Sequence, residues 1–477
     1  MKIIKLVMSV LLLGTSIYTP STYISANAHT PNDTERIYSI VVDRFLNADA
    51  STDEGVPEDE DSDLRFGGDF TGIEDNLEYI SSMGFTAIHL SPVFDFAEDD
   101  HLGYDVESYE SIDPGLGGAE GLSSLVEAAH EMNLEVIVDV PAVSVGGGGT
   151  VAELNVNSIY SDYIEDKDLD MLDLTDPAVQ GDYRDTIGEF VDEFNIDGLS
   201  MMIAQDGIDA EEILPVGVKT YGFRTTEEVS ATGFDHMTSE TMRQALSESY
   251  ATVDREVPEL PESEHMLLAD HWFSERFTSH AVEENMFPGT RVKQLMTYLY
   301  SHTGPISMLY GTEVAFNAET IPEIHPQMDL WTDQEIVEYM EHINRVYSDH
   351  KNAFTGNLET LHQGDGHYIT RYHTNDVDFI LNINDTSETN GVNLDLGDVG
   401  EGKVLSGMLI GDMIRASAPG EYIVVLDREE TELYAVIEES GFNNGYIIAS
   451  LLIFGGFAFF IFFAARKNKK YRANMNK

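Results

Sequence analysis

The feature that most constrains the fold is a repeated alternation of short apolar strands with amphipathic helices. Apolar runs at residues 37–42 (IYSIVV), 87–92 (AIHLSP) and 135–140 (EVIVDV) each predict a buried strand, and helical spacing separates them. Strands that alternate with helices in this way predict a parallel sheet covered by helices. The alternation continues with elements predicted at residues 180–194, 198–203, 218–223, 238–250, 265–270, 292–301, 305–310 and 333–348.

The count of these units predicts the architecture. About eight strand–helix units are present, which is the number that closes a parallel barrel. We therefore predict an α/β fold, a (β/α)8 barrel of the TIM type over residues 29–357, with a short loop subdomain at 141–175. From residue 358 to residue 437 the pattern becomes β-rich with frequent turns, which predicts a small antiparallel β-sandwich. Residues 438–445 form a short linker.

Both ends of the chain carry targeting signals. Residues 1–28 combine an early pair of lysines, an apolar stretch and an Ala-Asn-Ala ending, which predicts a secretory signal peptide. Residues 446–465 carry no charge and are long enough for one transmembrane helix. Residues 466–477 are basic, which predicts a cytoplasmic tail. We therefore expect a single-pass protein of the cell membrane with most of the chain outside the cell.

The composition excludes some classes of partner. The chain has 86 Asp and Glu residues against 26 Lys and Arg residues, a formal net charge of -60. Such a surface repels nucleic acids, so we expect no nucleic-acid partner. The absence of cysteine excludes disulfides and thiolate metal sites.

Several short motifs follow one another along the chain, at residues 37–45 (IYSIVVDRF), 66–73 (FGGDFTGI), 90–94 (LSPVF), 103–109 (GYDVESY), 112–114 (IDP), 194–199 (FNIDGL) and 305–313 (PISMLYGTE). They resemble, in the same order, the motifs of the α-amylase family of glycoside hydrolases. The resemblance implies the barrel and the trailing sandwich, and it implies α-glucans such as maltooligosaccharides as ligands.

The resemblance also places apolar residues where the family has its catalytic carboxylates. Retaining hydrolysis of a glycosidic bond requires one carboxylate as nucleophile and a second carboxyl group as general acid. At the positions of the nucleophile, the acid and a third, stabilising carboxylate, this chain has Met202, Phe223 and Phe273. The family's arginine near the nucleophile is replaced by Ser200. No thioether or phenyl ring can attack or protonate the sugar, so the sequence favours a non-catalytic protein.

Three functional interpretations stay open. The favoured one is a membrane-anchored extracellular protein that binds α-glucans or a protein partner, which the sequence does not name. A second is an active hydrolase or transglycosylase whose carboxylates are rebuilt from Glu227, Glu228, Asp270 or Asp206. A third is a purely structural accessory subunit that keeps the barrel as a scaffold.

The resemblance suggests a sugar-binding set at the mouth of the barrel. Tyr104 matches the tyrosine on which the family stacks a sugar ring, and Asp105, Asp270 and Trp272 are predicted to accompany it. Two alternatives are that Tyr104 packs at the base of its loop and that the apolar residues plug the former cleft.

A calcium site is the only metal site that the sequence suggests. Asn47, Asp49, Asp53, Gly67 (through its carbonyl) and Asp69 are spaced as in a calcium loop of several family members. Clustered oxygen ligands of this kind suit Ca²⁺. The alternative is an acidic surface loop.

Overall fold

The structure is a computed structural model, and it describes most of the chain after the predicted signal peptide (residues 1–28), which lies outside the described residues. The described range is 35–475 except for residues 49–63, 147–149, 153, 155–156, 262, 332–333, 351–356, 375–376, 398, 401 and 440–443.

Eight parallel strands form a closed barrel, which confirms the predicted (β/α)8 architecture. The strands are β1 (Arg36–Ile40), β2 (Ala87–Leu90), β3 (Glu135–Asp139), β4 (Gly198–Ile203), β5 (Lys219–Arg224), β6 (His236–Thr238), β7 (His265–Met266) and β8 (Ile306–Leu309). Each strand from β1 to β6 pairs with the next one along the chain, and β8 pairs with β1. The ring closes just after β7, where Leu267 N–H donates to Pro305 O at 3.0 Å and Ser307 N–H donates to Leu267 O at 2.8 Å.

Helices follow the strands and cover the outside of the barrel. They are α1 (Phe70–Glu74), α2 (Leu77–Ser82), α3 (Gly118–Glu131), α4 (Ile159–Asp166), α5 (Pro177–Phe194), α6 (Ala210–Ile213), α7 (Glu240–Ala251), α8 (Phe277–Glu283), α9 (Pro288–Tyr300) and α10 (Glu335–Asp349). Two short strand pairs lie in the loops between them: Phe94–Phe96 with Val106–Ile112, and Ile208–Asp209 with Ala231–Thr232. Three single turns of 3-10 helix complete the barrel: Val42–Arg44, Pro114–Leu116 and Thr312–Val314.

The sequence around α5 explains how β4 reaches the mouth of the barrel. Asp176 caps the helix by accepting from Ala178 N–H at 3.0 Å, and Pro177 occupies the first helical position. Asn195 ends the helix in the left-handed conformation, with φ of 55°. Asp197 then fixes the start of β4 by accepting from Val136 N–H at 2.8 Å. The carboxyl end of β4 therefore points into the mouth.

The loop between β3 and α5 folds over the mouth of the barrel. It carries α4, which begins with a capping box in which Ser158 and Ser161 each bind the other's backbone N–H. Isolated β-bridges join Val143 to Met171 and Val151 to Leu172. This loop presents the tyrosines of α4 to the barrel.

The predicted sandwich is present as two packed sheets. Its strands are β9 (Asn357–Gly364), β10 (His367–His373), β11 (Phe379–Asn384), β12 (Asn390–Asp395), β13 (Lys403–Gly407), β14 (Met413–Arg415), β15 (Glu421–Leu426) and β16 (Glu430–Glu438). The larger sheet has the order β9-β10-β11-β16-β13-β14, and β12 pairs with β15 in the smaller one. Apolar residues from both sheets form a separate small core.

Buried charges join the sandwich to the barrel. Arg291 in α9 is fully buried and lies 2.6 Å from the carboxylate of Asp385, which is also buried. The same guanidinium donates to Glu429 at 2.9 Å, and Gln294 Nε2 donates to the Glu429 carbonyl at 2.6 Å. These contacts fix how the sandwich sits on α9.

The prediction of a transmembrane helix is wrong, and so is the expected single-pass location in the cell membrane. The apolar run at residues 446–465 lies in the C-terminal helix, α11 (Asn444–Met475). Within the described part of the chain, no helix combines the length and the apolarity that a membrane crossing requires. The sequence argument considered the uncharged run alone, whereas the helix that contains it is 32 residues long and continues into the basic segment.

Candidate functional site

The carboxyl ends of the barrel strands surround Asp139, the last residue of β3. Its carboxylate is fully buried and accepts a hydrogen bond from the Ser200 hydroxyl at 2.6 Å and another from the Tyr104 hydroxyl. Ser200 is the register partner of Asp139 on β4. Trp272, which follows β7, donates its indole N–H to the Tyr104 oxygen at 3.1 Å. Two side chains therefore hold this carboxylate directly, and Trp272 holds one of them, Tyr104, in place.

A row of polar side chains continues from Ser200 across the barrel. His89 Nε2 lies 2.5 Å from Ser200 Oγ, and His89 Nδ1 lies 2.9 Å from Ser39 Oγ, which is 2.8 Å from Ser307 Oγ. Because the Ser200 hydroxyl donates to Asp139, it must accept from His89 Nε2–H, which leaves Nδ1 to accept from Ser39. The donated hydrogen bonds thus all run towards Asp139.

Burial dominates the electrostatics of this network. Burial raises the pKa of Asp139 to about 7, although the hydrogen bonds from Ser200 and Tyr104 oppose the change, and no cation offsets it. Burial also lowers the pKa of His89 to about 3, so the imidazole is neutral around pH 7. Asp139 is therefore a titratable carboxyl group that water does not reach.

The residues at the three expected carboxylate positions are buried on this same side of the barrel. Met202 and Phe223 are register partners on β4 and β5, and their exposed fractions are 5% and 2%. The Phe223 ring stacks on the His89 ring at 5.3 Å between centroids and lies nearly parallel to the Trp272 ring at 6.4 Å. These contacts fill the space beside His89 with apolar atoms.

Phe273 fills the other part of the mouth, with an exposed fraction of 4%. Its ring lies 5.0 Å from the Tyr104 ring, 4.8 Å from that of Tyr160 and 5.3 Å from that of Tyr163. Tyr160 and Tyr163 come from α4, so the loop over the mouth supplies half of this aromatic layer. The layer separates Asp139 from the outside.

The predicted sugar-binding residues are mostly enclosed. Tyr104 is fully buried and Trp272 is 1% exposed, which favours the alternative that Tyr104 packs at the base of its loop. Asp270 is also buried, and its carboxylate accepts from Phe277 N–H at 3.3 Å. Asp105 is half-buried, and its N–H donates to the Asp100 carboxylate at 2.9 Å. Their role in sugar binding stays a prediction.

An open cleft of about 560 Å³ lies beside the closed mouth. Its walls come from the segments after β5, β6 and β7 and from the start of α4. The side chains that line it are mainly polar and acidic: Glu227, Glu228, Glu240, Arg243, His271 and Glu275 among them. The volume lies in the range of pockets that bind small molecules.

The four carboxylates suggested as replacements for the catalytic set do not all line the same cleft. Glu227 and Glu228 line the cleft, whereas Asp270 and Asp206 do not. Glu227 accepts from the Ser239 hydroxyl at 2.7 Å and from Thr241 N–H at 3.0 Å, and despite partial burial these contacts lower its pKa. Asp206 lies in an exposed turn and accepts from Ser230.

The described residues include three of the five predicted calcium ligands, Asn47, Gly67 and Asp69. Asp49 and Asp53 lie outside the described residues, and Asp69 uses its two carboxylate oxygens to accept from Gly72 N–H at 2.6 Å and Ala48 N–H at 3.0 Å. In the part of the chain that the structure describes, no three His, Asp or Glu side chains are grouped to hold a metal ion. Calcium binding through Asn47, Gly67 and their neighbours stays a prediction.

Sequence reasoning missed several residues of the mouth. His89 lies in a run of apolar residues that predicts a strand. The one sign of a functional role was the presence of a histidine inside a buried strand. Tyr160 and Tyr163 lie in a segment in which the alternating pattern lapses, and no spacing indicated that they pack on Phe273.

Sequence comparisons connect the chain with amylases. The model of the α-amylase catalytic domain matches residues 39–143, and that of the α-amylase C-terminal domain matches residues 356–434. The intracellular maltogenic amylase of Bacillus subtilis (strain 168) is 24% identical over 385 residues, which is 68% of this chain and 63% of that protein. A beta/alpha-amylase of Paenibacillus polymyxa is 34% identical over 194 residues, 35% of this chain and 16% of the relative. The chain thus spans less than two thirds of the length of these curated relatives.

Solved structures match over a longer range. An α-amylase from Anoxybacillus superposes with a TM-score of 0.73 and 26% identity, covering 86% of this chain and 99% of that one. The α-amylase of Geobacillus thermoleovorans, solved in complex with acarbose, gives a TM-score of 0.71 and 27% identity, covering 85% of this chain and 99% of that one. With both domains matched in order, the chain belongs to the α-amylase family of glycoside hydrolases.

Proposed function

We propose that this protein is a non-hydrolytic member of the α-amylase family that binds carbohydrate in the cleft beside its closed mouth. The observation that carries the proposal is that Met202, Phe223 and Phe273 occupy the carboxylate positions as buried, packed side chains. Loss of every member of a catalytic set leaves binding and positioning alone.

The enclosure of the mouth supports the same conclusion independently of the alignment. A sugar ring bound over Asp139 would have to displace the aromatic layer of Phe273, Tyr160 and Tyr163. Asp139 itself is hydrogen-bonded and fully buried. A general acid or nucleophile must lie within hydrogen-bond reach of the substrate, and Asp139 is sealed from it.

The contacts of the remaining carboxylates argue against a rebuilt active site. A retaining pair needs one carboxyl group that stays protonated until it donates to the leaving group. The lowered pKa of Glu227, held by Ser239 and Thr241, is the opposite of what that role requires. Asp270 is buried and does not line the cleft, so it provides no partner for Glu228 there.

Carbohydrate binding is proposed from the chemistry of the cleft and from its relatives. The relative from Geobacillus thermoleovorans was solved with acarbose, an oligosaccharide analogue, in complex. In this chain the cleft offers hydroxyl, amide and carboxylate groups around a volume of about 560 Å³, and these groups match the hydroxyls of a saccharide. The alternatives, a protein partner or a purely structural role, predict no sugar binding.

Two measurements on the full chain test the proposal. The release of reducing ends from starch, maltodextrins and pullulan should not exceed that of a heat-inactivated sample. Turnover that disappears in Glu228→Gln would instead establish a rebuilt active site.

Calorimetric titration with maltotetraose tests the binding half. We expect binding that is abolished by Gln244→Trp, because Gln244 lines the cleft and an indole there fills it. Glu338→Trp, which adds the same group on the exposed face of α10, is the matched control and should bind normally. If the wild type and Glu338→Trp both fail to bind maltotetraose, a structural or protein-binding role is favoured instead.

A further inference from the structure

The cleft carries an excess of negative charge. Four carboxylates line it, from Glu227, Glu228, Glu240 and Glu275, and Arg243 is the single Lys or Arg side chain of the lining. Such walls, with low-dielectric protein behind them, focus a negative potential into the space between them.

Ion pairs neutralise only part of this charge. Arg224 Nη1 lies 3.1 Å from Glu227, and Arg243 Nη2 lies 2.6 Å from Glu240. Glu275 lies 3.2 Å from a ring nitrogen of His280. Among the described residues, no Lys or Arg pairs with Glu228, which therefore faces the cleft as an uncompensated carboxylate.

A buried histidine adds a hydrogen-bond donor to the same cleft. His271 is 6% exposed and lines the cleft, and its Nδ1 accepts from Phe273 N–H at 3.0 Å. Burial lowers the pKa of His271 to about 3, so the ring is neutral and the proton must sit on Nε2. In the described part of the chain Nε2–H meets no acceptor, which leaves a fixed donor for a ligand.

We propose that the cleft recognises an amine-bearing saccharide, an oligomer of 2-amino-2-deoxyglucose, in preference to a neutral glucan. The proposal rests on the proposed carbohydrate-binding function and specifies its ligand. Glu228 accepts from the sugar ammonium group, and His271 Nε2–H donates to a ring or hydroxyl oxygen of the same chain.

Two simpler ligands, a metal ion and a polyamine, fit the cleft less well. A metal ion does not fit, because the described residues hold no group of three or more His, Asp or Glu side chains close enough to bind one. A polyamine satisfies the carboxylates but offers no acceptor for His271 Nε2–H. An aminosugar provides both an ammonium donor and oxygen acceptors.

Calorimetric titration of the full chain with four probes tests the proposal. The probes are the glucosamine tetramer, its fully N-acetylated form, maltotetraose and spermidine. The N-acetylated tetramer keeps the sugar chain but replaces each ammonium group with a neutral, bulkier acetamide. We expect the glucosamine tetramer to bind at least about tenfold tighter than the other three, because hydrogen bonds to charged groups are the strong ones.

Two charge variants distinguish specific binding by Glu228 from nonspecific electrostatic attraction to the acidic chain. Glu228→Gln keeps the shape of the side chain and should weaken glucosamine binding about tenfold. Glu338→Gln, an exposed carboxylate on α10, removes the same charge elsewhere and should leave binding unchanged. Equal losses in the two variants would reduce the effect to diffuse attraction and overturn the proposal.

The remaining outcomes distinguish this proposal from the one on which it rests. If maltotetraose or the N-acetylated tetramer binds as tightly as the glucosamine tetramer, the preference for an amine is refuted while carbohydrate binding stands. Tighter binding of spermidine refutes recognition of the sugar ring. If no saccharide binds, both proposals fail.

Discussion

Replacing Asp139 with asparagine should change the way in which the stability of the fold depends on pH. The carboxyl group has an ordinary pKa of 3.8, and burial raises it to about 7 in the folded protein. Ser200 and Tyr104 donate to it, but neither brings a positive charge. Asparagine has nearly the same shape and cannot ionise. Its single side-chain oxygen can accept one of the two hydrogen bonds, and its amide N–H can donate to the other hydroxyl oxygen.

The size of the effect follows from the two pKa values. Between them the folded protein holds a proton that the unfolded chain has lost, so stability falls as the pH rises through this window. At about 1.4 kcal/mol for each pH unit, the interval from 3.8 to about 7 corresponds to about 4 kcal/mol. Above the pKa of the folded protein this contribution to stability is fully lost. Asp139→Asn has no such contribution to lose, because its side chain does not titrate.

Urea unfolding of both proteins from about pH 5 to about pH 8.5 measures the difference. We expect the free energy of unfolding of the wild type, relative to Asp139→Asn, to fall by about 3 kcal/mol over this range. Tyr104→Phe removes a donor to the carboxylate, so it should move the midpoint of this fall to higher pH. A difference between wild type and variant that stays constant with pH would refute the reasoning.

Three further changes test the packing of the fold. Arg291→Met should cost about 3–5 kcal/mol in urea unfolding, because it leaves Asp385 buried without its cation, whereas Arg415→Met, which breaks an exposed pair, should cost at most about 1 kcal/mol. Phe223→Ala should lower the free energy of unfolding by about 3–5 kcal/mol by leaving a cavity next to His89, and its activity on starch should stay at background. Asn195→Ala should cost about 1 kcal/mol because of its positive φ, and a glycine there should be tolerated; thermal unfolding of the two variants checks this.

Much of the barrel could be predicted because its strands are buried on both faces. The predicted strand at residues 198–203 has the observed bounds of β4, and the helices predicted at 238–250 and 333–348 differ from α7 and α10 by a few residues at most. The strand β6 was not predicted, since it has three residues, of which His236 and Met237 are partly exposed. A run so short and so mixed carries no periodic signal.

The candidate site was predictable in part. Register with a family motif brought Met202, Phe223 and Phe273 together, because each ends or follows a barrel strand. The hydrogen bonds that join His89, Ser200 and Asp139 depend on the alignment of neighbouring strands, which a single sequence does not encode as a pattern. The prediction at the C-terminus rested on an uncharged run of sequence, and no helix in the described part of the chain is long and apolar enough to cross a membrane.

The packing of Met202, Phe223 and Phe273 has a consequence for the evolutionary history of the fold. A single mutation that introduces a carboxylate at any of these positions would bury a charge in the packed mouth of the barrel. Each such step would therefore lose stability before any new chemistry appeared. Selection removes variants whose stability falls below the level that function requires, so the apolar packing is difficult to reverse. A lineage with this barrel can therefore diversify its open cleft far more readily than it can introduce a carboxylate into its closed mouth.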